Sequence, residues 1–183
     1  MNDMDGLREG LKRVAAALKD AQVPFALAGG YAAWALGGPE PSHDVDFIVD
    51  DEQVERARHE LERRGLDVVQ PPEDWLFKVH TDGVVIDVLH RSAGRPLADT
   101  LRDASVREVI SVEMPVLAAT DLVTMKLLAL DEHYCDLGTV LPVARALREQ
   151  VDWSRVREWT SGDPFAEAVL FLLERLKVLE PVT

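Results

Sequence analysis

The chain has 183 residues, 47% hydrophobic and 29% charged, with 20 Lys and Arg against 33 Asp and Glu for a net charge of −13. That length buries a real core as one domain, or as one domain with a helical extension. No long uncharged apolar run or secretory N-terminus is present, so no membrane span is expected and the chain reads as cytoplasmic. The acidic balance argues against a broad duplex-DNA surface, which needs clustered Lys and Arg, and suits solubility or a cationic partner.

Residues 5–21 carry Leu7, Leu11, Val14, Ala15 and Leu18 at helical spacing and predict an amphipathic helix. Pro24 interrupts that pattern, and residues 25–28 read as a short buried strand. Gly29-Gly30 is a sharp turn into a short helix over 31–36, which Gly37-Gly38 closes. Residues 44–50, "DVDFIVD", read as a second buried strand, and a helix to Arg64 follows, capped by Asp50 or Asp51. Residues 66–70 predict a short strand. "WLFKVH" and "VVIDVLH" flank "TDG", a hairpin signal. Another strand is expected over 108–112, and "PVLAA" is extended. From about Thr120 the pattern is helical, with further helices over 141–147, 151–159 and 165–179. The expected fold is α/β (α+β): a mixed-sheet core over 1–118 and a C-terminal helical bundle over 119–183.

Two charges stand out in the second strand. Side chains alternate along a strand, so Asp44 and Asp46 should project from one face while Val45 and Phe47 pack on the other. Like charges this close repel unless a cation sits between them. Oxygen-only donors suit a hard cation, Mg²⁺ or Mn²⁺. Asp87 interrupts a second apolar run, Val84 to Leu89, where a bare carboxylate is costly. If the two strands are neighbours, three carboxylates meet, enough to hold two metals for phosphoryl or nucleotidyl transfer. Gly29 and Gly30 open a short helix, where backbone N–H groups and absent side chains favour a phosphate.

"GGYAAWALGG", "HDVDFIV" and "VVIDVL" together resemble the polymerase-beta-type nucleotidyltransferase superfamily, above all its small bacterial members of the antibiotic-modifying, abortive-infection and minimal types. The resemblance implies metal ligation by Asp44, Asp46 and Asp87, with Asp87 a metal ligand or the acceptor's base. It implies nucleotide contacts by Gly29, Gly30, Ser42 and Lys126. The implied partners are a nucleoside triphosphate such as ATP and an acceptor. Net charge favours a cationic small molecule, with a partner protein or tRNA as the toxin–antitoxin alternative. A non-catalytic nucleotide-binding module is the rival from another class.

Other residues have plainer readings. Cys135, the single cysteine, excludes an internal disulfide and is expected as a half-buried thiol on a helix. His80 and His90 read as structural, Trp34, Trp153 and Trp159 as helical core, and Trp75 with Phe77 as one aromatic face, core rather than acceptor wall. In "DEHYCD", a helix end and turn, Tyr134 and Asp136 are candidates for an acceptor pocket.

Overall fold

A computed structural model describes residues 3–41, 43–91 and 94–180. Its centre is a mixed seven-stranded sheet in the order β3-β4-β5-β2-β1-β7-β6. The strands are β1 (Phe25–Ala28), β2 (Val45–Val49), β3 (Asp67–Val69), β4 (Leu76–Thr81), β5 (Val84–Leu89), β6 (Ser105–Val109) and β7 (Val112–Val116). The helices are α1 (Asp3–Asp20), α2 (Gly29–Ala35), α3 (Val54–Arg63), α4 (Leu97–Asp103), α5 (Ala119–Leu128), α6 (Leu137–Leu147), α7 (Trp153–Trp159) and α8 (Pro164–Arg175). The mixed α+β fold expected from the sequence is the one observed.

The apolar stripe of α1 is buried against the sheet: Leu11, Val14 and Leu18 have no exposed surface. Gly10 permits the close approach, since a Cβ there would lie 3.1–3.3 Å from side-chain atoms of Val84, Ile86 and Thr81. Strands β4 and β5 pair antiparallel around Asp82-Gly83, both at positive φ (52° and 79°), the backbone of a tight hairpin turn.

The expected strand over 108–112 is corrected. Ile110 and Ser111 stand at φ 50° and 62° and form the turn between β6 and β7. A β-branched residue rarely adopts that conformation, so the stretch carries no turn signal. Helix α4 was not expected from the sequence.

Aspartates start several C-terminal helices. Asp136 accepts from the Gly138 N–H, Asp152 from Ser154 and Arg155, and Asp163 from Ala166. Part of the acidic excess is therefore helix capping. Apolar residues gather in two clusters, one around the sheet with α1 and α3, the other among α5–α8, which Ala33 of α2 joins. Among the described residues, no helix is long and apolar enough to cross a membrane.

Candidate active site

Strand register builds the site. Ala28 on β1 pairs with Asp46 on β2 in antiparallel register. Asp46 pairs with Asp87 on β5 in parallel register, and Asp87 with Lys78 on β4 in antiparallel register. Residues paired across neighbouring strands share a sheet face, so Asp46, Asp87 and Lys78 stand side by side in one row. The Lys78 Nζ donates to Asp87 Oδ1 at 2.8 Å.

Asp44 reaches the site by a different route from the one its spacing suggests. It lies outside β2, at φ 55°, in the left-handed region that aspartate tolerates better than most residues. Strand alternation does not govern it. Its exposed side chain nonetheless lines the same cleft as Asp46 and Asp87.

That cleft encloses about 530 Å³. It is lined by the three aspartates, the Gly29-Gly30 turn, Lys126 of α5, Tyr134, and Thr139 and Pro142 of α6; Glu40 and His43 line it as well. Gly29 has φ 57° and its backbone packs against the Asp46 carboxylate. A Cβ on Gly30 would lie 2.9 Å from Pro41 Cβ, so glycine is required there for the chain to fold back. Of the residues nominated from sequence, Gly29, Gly30, Asp44, Asp46, Asp87 and Lys126 therefore share one cleft. Ser42 lies outside the described residues.

The electrostatics of the cleft are unbalanced. The Asp46 carboxyl is pushed up to about 6, first by burial, then by the charges of Asp87 and Asp44; Lys126 and Lys78 pull it back down. Among the described residues, no three Asp, Glu, His or Cys side chains form a ready-made metal cage. What the aspartates present is oxygen donors beside an incompletely compensated negative charge, a set that suits a hard divalent cation.

Other nominated residues divide. His90 is buried and its Nδ1 lies 2.7 Å from Asp51 Oδ1, a structural contact at the end of β5. Trp75 and Phe77 do not share a face: Phe77 is fully buried, whereas Trp75 precedes β4 and is 43% exposed. Trp159 is half-buried under the Arg95 guanidinium, 4.8 Å from its ring centre. Cys135 is exposed and lies between α5 and α6, so the half-buried helical thiol is corrected. Asp136 is a helix cap, while Tyr134 lines the cleft.

Lys78 was missed. Its signal was nonetheless present: a two-residue turn at Asp82-Gly83 pairs Thr81 with Val84, and counting outward brings Lys78 opposite Asp87.

The sequence model of a family described as uncharacterised nucleotidyltransferase matches residues 3–183. No curated protein matches the chain. Among solved structures, the chain is similar to the antibiotic-resistance factor ANT(2″)-Ia, with 13% identity, 97% of each chain covered and a TM-score of 0.62. It is similar to that factor in complex with adenylyl-2″-tobramycin, with 11% identity, 91% of this chain and 98% of the other covered, and a TM-score of 0.60. It is also similar to the lincosamide antibiotic adenylyltransferase LnuA bound to lincomycin, with 14% identity, 74% of this chain and 92% of the other covered, and a TM-score of 0.53. At these identities the likeness is one of fold.

Proposed function

The chain belongs to the family described as uncharacterised nucleotidyltransferase, and we propose that it moves a nucleoside monophosphate from a nucleoside triphosphate to a hydroxyl of a small, cationic acceptor. The observation that carries this reading is the side-by-side pair Asp46 and Asp87, with the Gly29 backbone packed on Asp46. That arrangement brings the carboxylates and the backbone of the glycine turn together in one cleft.

Roles follow from position. Asp44 and Asp46 would hold a divalent cation, Mg²⁺ or Mn²⁺, which supplies positive charge against the phosphate oxygens. Gly29 and Gly30 bring the backbone of the turn into the cleft beside the phosphates, and Lys126 neutralises part of their charge from α5. The acceptor oxygen bonds to the α-phosphorus as the bond from that phosphorus to the α–β bridging oxygen breaks. Pyrophosphate leaves with the electron pair. The acceptor's proton passes to the Asp87 oxygen that Lys78 does not engage.

The acceptor reading rests on charge and on relatives. The chain's net charge of −13 favours a cation over an anion. The similar folds bound to adenylyl-2″-tobramycin and to lincomycin support a small-molecule acceptor.

The test is incubation with each labelled nucleoside triphosphate, Mg²⁺ and pools of cationic small molecules, tRNA and protein, read by mass spectrometry. Label is expected in the small-molecule fraction, with Asp46→Asn inactive. Label only in tRNA or protein overturns the acceptor class. No transfer from any triphosphate, with no metal-dependent nucleotide binding by calorimetry, overturns the reaction.

A further inference from the structure

Lys78 occupies a place that the catalytic reading leaves unexplained. It is an interior residue of β4, flanked by the buried Phe77 and Val79, whose side chains take the opposite face. Lys78 is half-buried on the face that also carries the exposed His80, and its Nζ lies 2.8 Å from Asp87 Oδ1, with side-chain exposures of 34% for Lys78 and 27% for Asp87. Partial burial removes much of the solvent screening that makes surface pairs weak. Cross-strand register fixes both ends, so the pair is part of the sheet rather than a chance meeting of long side chains.

We propose that the Lys78 ammonium takes the place of a second divalent cation beside Asp87, so that the nucleotide-loaded cleft holds one metal per chain, at Asp44 and Asp46. The inference rests on the metal-dependent reading above and narrows it. Before nucleotide binds, one divalent cation and one ammonium balance the carboxylates of Asp44, Asp46 and Asp87. A second divalent cation at Asp87 would compete for the oxygen that Lys78 holds and would face a like charge at contact range. Lys126 remains on the α5 side for the triphosphate. Lys78 is thus a positioning residue. It holds Oδ1 and leaves the other Asp87 oxygen for the acceptor's proton.

Equilibrium dialysis with Mn²⁺ and a nonhydrolysable nucleoside triphosphate tests this, counting metal per chain after correction for free nucleotide. Wild type and Lys78→Arg are expected to bind one Mn²⁺ per chain. Lys78→Met and Lys78→Gln are expected to bind two, because Asp87 becomes available. Two neutral variants are used so that a folding failure in one, detected by thermal melting, leaves the other. Two Mn²⁺ in wild type, or one in a folded neutral variant, overturns the proposal while the metal-dependent reading stands. No Mn²⁺ in any variant overturns that broader reading, and this proposal with it.

Discussion

A Cβ built on Gly29 would lie 2.7 Å from Asp46 Cγ and closer still to its Oδ2. The turn therefore rests on the carboxylate, and no side chain fits between them. The same glycine stands at φ 57°, where an L-residue with a Cβ is strained. Sheet, turn and carboxylate are coupled at this point. Gly29→Ala should cost about 1–2 kcal/mol in backbone strain alone. It should also push the Asp46 side chain out of its row with Asp87. The expected outcome is a lower melting temperature and at least about a tenfold loss of affinity for a nonhydrolysable triphosphate, equivalent to about 1.4 kcal/mol. Calorimetric titration and thermal melting read both. A variant that melts and binds like wild type contradicts the packing argument.

Asp46 carries an electrostatic cost in the metal-free protein. Its carboxyl rises from the ordinary 3.8 to about 6, through burial and the charges of Asp87 and Asp44. Between those values the folded chain binds more protons at this site than the unfolded chain. The associated stability is present below about pH 4 and is lost as pH rises through about 6. Asp46→Asn removes the cost. With metal chelated at pH 7.5, the Asn variant should be more stable than wild type by up to about 3 kcal/mol, from 1.36 kcal/mol per pH unit. The advantage should vanish near pH 4. Urea unfolding at both pH values checks the sign, and a less stable Asn variant at pH 7.5 would contradict it. Added Mg²⁺ should stabilise wild type more than the variant.

Arg95 ties three helices together. Its guanidinium contacts Asp103 on α4 at 2.8 Å and Asp121 on α5 at 3.1 Å, and lies 4.8 Å from the centre of the Trp159 ring on α7. The Asp121 side chain is only 5% exposed, and burial raises its carboxyl even with Arg95 beside it. Removing the arginine strands a buried carboxylate. Arg95→Met should destabilise by about 3–5 kcal/mol. Adding Asp121→Asn should recover part of that loss, because the stranded charge goes with it. Arg95→Lys should fall between, keeping the charge but losing the planar stack on Trp159. Denaturant midpoints of the four proteins give the order.

Legibility in the sequence followed the strength of the local physics. Asp46 and Asp87 were readable because a carboxylate inside an apolar run has few stable environments. Gly29-Gly30 was readable because a glycine pair between a strand and a helix marks a turn. Asp44, expected as a metal ligand on strand alternation, lines the cleft by another route: its left-handed φ takes it off the strand. The turn at Ile110-Ser111 was hidden because Ile110 and its neighbours Val109 and Val112 favour strands. Lys78 was overlooked because its meaning lies in pairing across the hairpin rather than along the chain. The lining supplied by Tyr134, Thr139 and Pro142 depends on how α5 and α6 pack, and no local pattern encodes that.

Tyr134 lines the cleft, and its placement leads to the last prediction. The residue is 60% exposed, yet its backbone is tied down. The Asp131 carboxylate accepts from the His133 N–H at 2.7 Å and the Tyr134 N–H at 2.8 Å, while the Asp131 N–H donates to the Tyr134 carbonyl at 3.0 Å. Those two backbone N–H groups hold the Asp131 carboxyl below its ordinary range. The turn thus presents an aromatic ring at the cleft's edge at little cost in side-chain entropy. Tyr134 lines the cleft from the segment between α5 and α6, away in sequence from the glycine turn and the aspartates, and is expected to contact acceptor and not triphosphate. Tyr134→Ala should raise the acceptor KM by about tenfold, the loss of about 1.4 kcal/mol of contact, and leave nucleotide affinity unchanged. Asp131→Ala should reproduce part of the effect by loosening the turn without touching the ring. Tyr134→Phe should behave nearly as wild type if the ring, and not the hydroxyl, makes the contact. Steady-state kinetics with each substrate varied separate these outcomes. A rise confined to the triphosphate KM would assign Tyr134 to the triphosphate instead.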